Sequence, residues 1–186
     1  MKLIQFSQER YDAEIAGKIM ALEKTAWPQN TEDDQFPSAP HTYATSFVLL
    51  EKDMAVCHIG VRKSILRHRG EEYLAYGLSE VVTHPHYQNK GLASQTIKRA
   101  VQFMTAQQAD LSIFTCAQER ISFYERNGWE AIPGACLIGG TEKKPFRSDS
   151  LNLVTMMMFL SDKSKAHRKD FAHTDICLVL GENQLW

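Results

Sequence analysis

The sequence contains little of what cross-links a chain or anchors it in a membrane. Among its 186 residues there are four cysteines, none in a CxxC pair: Cys57, Cys116, Cys136 and Cys177. Three of them lie in apolar or alternating runs, which is typical of reduced core residues, so no disulfide framework is expected. No run approaches the ~18 apolar residues of a membrane-spanning helix, and the first ten residues lack the apolar segment of a signal peptide. These absences predict a soluble, cytoplasmic protein with no membrane partner.

The chain also lacks an excess of either charge. It has 21 Lys and Arg against 22 Asp and Glu, which gives a formal net charge of −1 at pH 7. A nearly neutral chain has no overall field to draw it to nucleic acid, so nucleic acid is not expected as a partner. Apolar residues make up 44% of the sequence, enough for one hydrophobic core. The length therefore favours a single domain over residues 1–186.

The first half of the chain is rich in strand-like patterns. Four such runs follow one another, at Lys2–Phe6, Tyr43–Leu50, Met54–Leu66 and Glu71–Thr83. Ser7 is suited to cap a helix after the first run, because its hydroxyl can accept from a free main-chain N–H. The turn Glu51–Asp53 predicts a hairpin between the second and third runs. This half is expected to supply an antiparallel front to the sheet.

The second half of the chain alternates between helical and strand-like patterns. Helical spacing begins after Gly91, and a short helix around Tyr124 ends at Asn127 and Gly128. The remaining strand-like runs are Leu111–Cys116, Trp129–Ile132, Leu151–Leu160 and Ile176–Leu180. A long polar connection precedes the third of these runs, and a basic loop follows it. The whole order predicts an α+β fold with a strand–loop–helix unit at its centre.

The chemistry is concentrated in one segment, Glu80–Ser94, with the sequence EVVTHPHYQNKGLAS. A strand leads into a turn that opens a helix, and a helix N-terminus directs free N–H groups and a positive dipole at one point. Gly91 permits a close approach of the main chain, and Gln88 and Lys90 add a donor and a charge. The segment therefore suits a phosphate group. The pair His84 and His86 has no further ligand at metal-site spacing, so no metal is expected.

This segment resembles the acetyl-CoA motif of the GCN5-related N-acetyltransferases, the GNAT superfamily. Gln88, Gly91 and Ala93 match its Q/R-x-x-G-x-G/A pattern, and the run Phe123–Trp129 resembles the family's aromatic-Tyr-x-x-Asn-Gly-aromatic close. The resemblance implies a three-layer fold with helices on both faces of a mixed, mostly antiparallel twisted sheet. It also implies acetyl-CoA as co-substrate, bound by Val81, Val82, Thr83, Gln88, Asn89, Lys90, Gly91, Leu92, Ala93 and Ser94.

Catalytic roles follow from the same resemblance. Glu80 matches a glutamate that removes a proton from the amine, directly or through water, and main-chain N–H groups near Val82 would polarise the thioester carbonyl. Tyr124 matches the tyrosine that protonates the departing thiolate. The alternatives are a solvent-facing charge for Glu80 and core packing for Tyr124. One departure from the family pattern is Ala117, which stands where the family often has Asn.

Within the family, four features are most similar to the aminoglycoside 2'-N-acetyltransferases: the loop Thr31–Asp34, the strand Val56–Gly60 that leads to Arg69 and Gly70, the Tyr124 helix, and a last strand followed by an acidic residue and Trp186. This resemblance implies a small polycationic amine as acceptor. On this basis Glu32, Asp33, Asp34 and the carboxylate of Trp186 are candidates for amine binding. The alternatives are a solvated loop for the acidic run and an anchor of the last strand for Trp186. Two other functions stay open: acetylation of a protein or peptide amine, and a non-catalytic acyl-CoA-binding sensor. The sequence does not fix the oligomeric state, and a homodimer is one of the alternatives.

Overall fold

The computed structural model describes residues 1–28, 36–38, 42, 44–181 and 184–186. The chain divides into two compact units, and each is discontinuous in sequence. Unit 1 comprises Met1–Lys63 and Leu78–Phe103, and unit 2 comprises Ser64–Gly77 and Met104–Trp186. The predicted acidic residues Glu32, Asp33 and Asp34 lie outside the described residues.

Unit 1 contains a sheet with helices. Strands β1 (Lys2–Ser7), β2 (Thr45–Glu51) and β3 (Met54–His68) pair antiparallel in that order, and β4 (Glu71–Thr83) lies next to β3. Helix α1 (Ala13–Glu23) and the first part of α2 (Leu92–Ala106) also belong to this unit. Side chains of α1 pack against the sheet in a buried cluster that consists of Phe6, Ala16, Ile19, Leu22, Val48, Ala55 and Val82.

The prediction that Ser7 caps the first helix is wrong. Its side chain makes no capping hydrogen bond, because a 3₁₀ turn at Gln8–Arg10 separates β1 from the helix. The cap of α1 is Asp12, whose carboxylate accepts from the main-chain N–H groups of Glu14 and Ile15 at 3.0 and 3.2 Å. A negative charge at this position also complements the helix dipole.

Unit 2 holds the second part of the main sheet. The first half of β4 pairs in parallel with β5 (Leu111–Ala117) at Ala75 and Tyr76, and β5 pairs antiparallel with β9 (Leu153–Phe159). A two-residue strand, β6 (Glu130–Ala131), adds to the other edge of β9. The short helix α3 (Ile121–Glu125) follows β5, and the chain turns at Gly128, as the sequence predicted.

Two connections in unit 2 are more ordered than the sequence predicted. The sequence predicts a long polar connection after Trp129–Ile132, but this segment forms a hairpin of β7 (Cys136–Thr141) and β8 (Lys144–Arg147). Strand β10 (Asp175–Cys177) pairs in parallel with β7, which completes a second, three-stranded sheet. The basic loop contains helix α4 (Asp162–Ala166), capped by Ser161, and a 3₁₀ turn.

The fold class is confirmed: the chain forms an α+β fold with a mixed, mostly antiparallel main sheet. All four cysteines are free, with Cys57, Cys116 and Cys136 buried and Cys177 exposed. Burial raises the pKa of the thiols of Cys57 and Cys116, the latter to about 11. None of the helices in the described ranges is long and apolar enough to span a membrane.

Candidate functional site

The loop between β4 and α2 contains two residues in the left-handed conformation just before the helix begins. Asn89 has a φ of 60° and Gly91 a φ of 75°, a conformation that a glycine adopts without steric cost. A Cβ placed on Gly91 would meet no protein atom within 4 Å, so the space beside its Cα is open. The first N–H groups of an α-helix have no partner within the helix. The start of α2 therefore presents donors toward open space at Gly91.

The side chains of Gln88 and Lys90 stabilise the loop itself. The amide nitrogen of Gln88 donates to the main-chain oxygen of Thr83 at 3.2 Å. The Lys90 ammonium donates to the main-chain oxygen of His86 at 2.9 Å and lies 5.0 Å from the centre of the Tyr87 ring. These two side chains therefore hold the turn before α2 in shape.

The other predicted co-substrate residues lie on both sides of this loop. Val82 is buried in the unit 1 core, so only its main chain remains for a ligand. Val81 and Thr83 are half-buried, and the Thr83 hydroxyl donates to Sγ of Cys57 at 3.4 Å. On α2, Leu92 is buried and packs with Cys57, while Ala93 and Ser94 are half-buried.

Glu80 has an unusual main-chain conformation within β4. Its φ of 46° places it in the left-handed region, which costs a non-glycine residue about 1–3 kcal/mol. Its carboxylate accepts from two side chains: Oε1 from the Arg62 guanidinium at 2.6 Å and Oε2 from the Ser38 hydroxyl at 2.9 Å. The Arg62 and Glu80 side chains are 10% and 19% exposed, so the pair is mostly removed from water. Glu80 is therefore not a freely solvated charge.

A buried polar cluster next to Glu80 was missed by the sequence analysis. The ring of His58 is fully buried, with Nδ1 2.9 Å from Oε1 of Glu23 and Nε2 2.9 Å from Oγ of Ser46. Burial lowers the pKa of His58 to about 4, against opposing effects from the charge and the main chain of Glu80. The available signal was a histidine within an otherwise apolar strand, VCHIG.

The order Glu23, His58 and Ser46 has the connectivity of a hydrolase triad. Such a triad needs its hydroxyl within reach of a substrate. Both Ser46 and His58 are 0% exposed, so no substrate reaches them. This cluster is therefore a structural one that joins the C-terminal end of α1 to β2 and β3.

Tyr124 lies in unit 2, on α3, within a group of aromatic rings. The centres of the Phe114 and Phe123 rings are 4.7 and 5.0 Å from its own, and Trp129 also contacts it edge to face. Tyr124 is 8% exposed, and its hydroxyl has no hydrogen-bond partner among the described residues. Burial first, and then the neighbouring Cys116, raise the pKa of its phenol to about 12. The hydroxyl therefore stays protonated and can donate.

Ala117 ends β5 and stands before the 3₁₀ turn that leads into α3. Its methyl group offers no hydrogen bond, in contrast to the Asn that the family often has there.

The buried ring of Trp186 packs in unit 2 against Gly77 of β4. Its main-chain oxygen accepts from the main-chain N–H of Thr115 at 2.7 Å and also from the Thr115 hydroxyl. Two residues earlier, the main-chain oxygen of Gln184 accepts from the N–H of Gly140 at 2.8 Å. The main chain of this segment is thus bonded to β5 and β7.

No cluster of three or more His, Cys, Asp or Glu in the described ranges has the geometry of a metal site. The rings of His84 and His86 are 5.4 Å apart, and Nδ1 of His84 accepts from the main-chain N–H of His86 at 3.3 Å. The His84 side chain thus stabilises the turn before α2.

Comparison with known proteins gives a family and several similar folds. The model of the acetyltransferase (GNAT) domain matches residues 10–132. The structure is similar to Escherichia coli ElaA, with a TM-score of 0.60, 11% identity, and coverage of 84% of this chain and 98% of that chain. It is also similar to an acyl-CoA N-acyltransferase from Pseudomonas aeruginosa, with a TM-score of 0.59, 13% identity, and coverage of 84% and 98%.

A third similar structure is an aminoglycoside 6'-N-acetyltransferase complexed with coenzyme A. It has a TM-score of 0.58 and 10% identity, with coverage of 87% of this chain and 98% of that chain. At these identities the structures share the fold, and a comparison with curated protein sequences finds no match. The family model, however, matches more than half of the 186 residues. The chain therefore belongs to the GNAT acetyltransferase family and is an acyl-CoA-dependent N-acyltransferase.

Proposed function

We propose that the protein transfers an acetyl group from acetyl-CoA to a primary amine of a small polycationic molecule, such as an aminoglycoside-like amino sugar. The observation that carries the proposal is the start of α2, where Asn89 and Gly91 adopt left-handed conformations beside open space. Amides at a helix N-terminus bind phosphate groups by hydrogen bonds and by the helix dipole. Coenzyme A carries a pyrophosphate of this kind.

The co-substrate supplies the acyl group as an activated thioester. In this proposal the N–H groups of Gly91, Leu92, Ala93 and Ser94 bind its pyrophosphate. The main chain of Val81, Val82 and Thr83 binds the acyl end, where an N–H near Val82 stabilises negative charge on the carbonyl oxygen. Gln88, Asn89 and Lys90 are proposed to bind the co-substrate as part of the same loop, whose conformation is supported by the bonds from Gln88 and Lys90 to main-chain oxygens.

Glu80 is the proposed general base. An amine is mostly protonated at neutral pH and must lose a proton before it attacks a carbonyl group, and a carboxylate removes that proton directly or through water. Each Glu80 oxygen accepts one hydrogen bond from the protein, from Arg62 or Ser38, and retains a second lone pair for the proton. The contacts of Glu80 support an oriented base.

Tyr124 is the proposed general acid for the leaving thiolate. Its pKa of about 12 keeps the hydroxyl protonated throughout the neutral range. No described residue uses this hydroxyl as a donor or acceptor, which leaves its proton available. A thiolate is a much weaker base than a phenolate of this kind, so the transfer must be concerted with departure of the thiol.

The acceptor side of the proposal rests on the resemblance to the aminoglycoside 2'-N-acetyltransferases. We propose that Glu32, Asp33, Asp34 and Trp186 contribute negative charge for a polycationic amine, and that residues 1–186 act as one acetyltransferase domain. The bonds from Thr115 hold the main-chain oxygen of Trp186 in one place, which supports a fixed position for this residue. Carboxylates distributed in this way would select multiply protonated amines.

Release of coenzyme A thiol in the presence of different amines tests the function. The protein is mixed with acetyl-CoA and with polyamino sugars, simple diamines or peptides that carry a free N-terminus or lysine, and products are identified by mass. Turnover with polyamino sugars alone supports the proposal, whereas turnover with peptides favours a protein acetyltransferase. Coenzyme A binding without turnover on any amine would indicate a sensor. Ala117, which stands where the family often has Asn, is the departure from the family pattern that fits this outcome.

The role of Trp186 has a separate test in the 186-residue chain. A few residues appended after Trp186 should raise the KM for polycationic amines more than the KM for acetyl-CoA. The same change should flatten the salt dependence of amine binding, because a charge–charge interaction is lost. Equal amine KM and salt dependence in the extended and original proteins would exclude this role.

A further inference from the structure

Three residues at alternate positions of β3 lie on one face of the strand. His58, Gly60 and Arg62 occupy every second position of β3, and side chains at this spacing point to the same side of a strand. All three are buried. Across the pairing with β2, Ser46 lies opposite Gly60 and donates or accepts at the His58 ring. This face of β3 thus carries polar side chains that are buried.

Two of the three residues meet the Glu80 carboxylate. The third, His58, lies near Glu80, whose charge acts on the pKa of the ring. Arg62 donates to Oε1 of the carboxylate at 2.6 Å. A Cβ added to Gly60 would lie 2.6 Å from Oε2 of Glu80 and 2.7 Å from Oγ of Ser79, so the absence of a side chain there makes room for the carboxylate.

These contacts explain how Glu80 keeps a left-handed conformation in the middle of a strand. A strained residue of this kind persists only where its surroundings fix it from several sides. Here one carboxylate oxygen is held by Arg62 and the other by Ser38, while Gly60 permits the carboxylate to fold over β3. Gly60, Arg62 and Ser38 lie outside the segment Glu80–Ser94, which resembles the acetyl-CoA motif.

We infer that Gly60 and Arg62 form a positioning unit on β3 that sets the place and direction of the Glu80 carboxylate for proton removal. The inference rests on the proposed role of Glu80 as the base. The two residues act through Glu80 and do not themselves touch the amine or the acyl group. Ser38 completes the unit from outside β3.

Gly60→Ala is the sharpest test because it displaces the carboxylate without changing any charge. Gly17→Ala is the matched control: Gly17 lies within α1, and a Cβ there would meet no atom within 4 Å. A misplacement of about 1 Å in a reacting group costs about 100-fold in rate. Gly60→Ala should therefore lower kcat by about 10- to 100-fold, with the KM for acetyl-CoA unchanged, and Gly17→Ala should change neither.

The same substitution in the Glu80→Gln background separates positioning from general damage. If Gly60 acts through Glu80, Gly60→Ala causes little further loss once the carboxylate is gone. An equal fractional loss in both backgrounds would overturn the inference. Arg62→Lys, which retains the charge and one donor, should keep more activity than Arg62→Gln, and it provides a second test if Gly60→Ala does not fold.

A spectroscopic readout keeps this inference distinct from the proposed function. In protein labelled with ¹³C at glutamate carboxyl groups, the Glu80 resonance is assigned by its loss in Glu80→Gln. We expect Gly60→Ala and Arg62→Gln to move this resonance and Gly17→Ala to leave it in place. An unmoved resonance in both variants overturns the positioning unit, whatever the activity. Full activity of Glu80→Gln with a moved resonance would instead overturn Glu80 as the base.

Discussion

The indole ring of Trp186 lies against Gly77 so closely that any side chain at position 77 would overlap it. The main-chain oxygen of Ile113 would also lie only 3.0 Å from a Cβ at Gly77. A glycine is therefore needed at position 77 to leave room for the Trp186 ring. The main-chain conformation does not require it, since Gly77 is not among the positive-φ glycines.

Gly77→Ala should destabilise the protein through this overlap. Overpacking of a well-filled core costs about 1–3 kcal/mol. The ring of Trp186 is buried, and the main chain of this residue is bonded to Thr115, so the residue as a whole cannot shift away without loss of those bonds. The measurement is the free energy of unfolding in urea. Trp186→Ala should absorb much of the cost when it is combined with Gly77→Ala, whereas additive losses would show that the ring does not set the space at Gly77.

Gly91→Val should abolish coenzyme A binding in a folded protein. The valine would place two methyl groups in the space proposed for the pyrophosphate, measured by calorimetric titration with coenzyme A. Valine at a φ of 75° is also strained, so Gly70→Val is the matched control. Gly70, in the β3–β4 turn, has a φ of 86° and open space around it. Equal loss of binding in both variants would show that main-chain strain, and not occupation of the pyrophosphate space, causes the loss.

Tyr124→Phe should lower kcat by about 10²–10⁴-fold, the usual contribution of a general acid. Affinity for coenzyme A and stability should change little, because the lost hydroxyl has no hydrogen-bond partner in the described part of the chain. Because the phenol has a pKa of about 12, the rate should show no decline from its ionisation up to about pH 10. A variant that turns over at the parental rate would assign Tyr124 to packing alone.

Acid should destabilise the fold through His58. Its pKa falls from 6.5 to about 4 on burial, so the unfolded chain binds the proton first as the pH falls. The contribution of the neutral His58 ring to the free energy of unfolding is fully present above pH 6.5. It is lost between pH 6.5 and about pH 4, for a total of about 3 kcal/mol. The groups that face the ring are Glu23, Ser46 and Glu80.

Urea unfolding at a series of pH values measures this effect. His58→Gln should have a flatter profile than the parent between pH 6.5 and pH 4. His86→Gln, at an exposed histidine, should leave the profile unchanged. A parental slope in His58→Gln would show that other groups cause the acid sensitivity.

The sequence predicted the elements with strong local patterns. The strand–loop–helix segment around Gly91 and the helix stop at Gly128 were both predicted correctly, because glycine position and apolar spacing are local properties. The hairpin of β7 and β8 was missed because its strands are short and contain Gly139, Gly140 and Pro145, which are infrequent in strands. One of its strands, β7, also pairs with β10, which lies more than thirty residues further along the chain and gives no local signal.

The contacts of Glu80 could not be predicted, for the same reason. Arg62 and Ser38 lie 18 and 42 residues from Glu80 in sequence, and neither belongs to a recognisable motif. The buried His58 had a visible signal, a titratable ring in an apolar strand, but its partners Glu23 and Ser46 come from other elements. Side-chain pairs across elements depend on register, which periodicity alone does not give.

The distribution of the cysteines gives every thiol-release assay of this enzyme its own internal control. In the native fold one thiol per chain, that of Cys177, is open to a thiol reagent, while Cys57, Cys116 and Cys136 are buried. The native enzyme therefore adds a constant background of one equivalent. A variant that unfolds exposes three more cysteine thiols to the reagent. The same absorbance trace that reports turnover therefore also reports whether a substituted protein is folded.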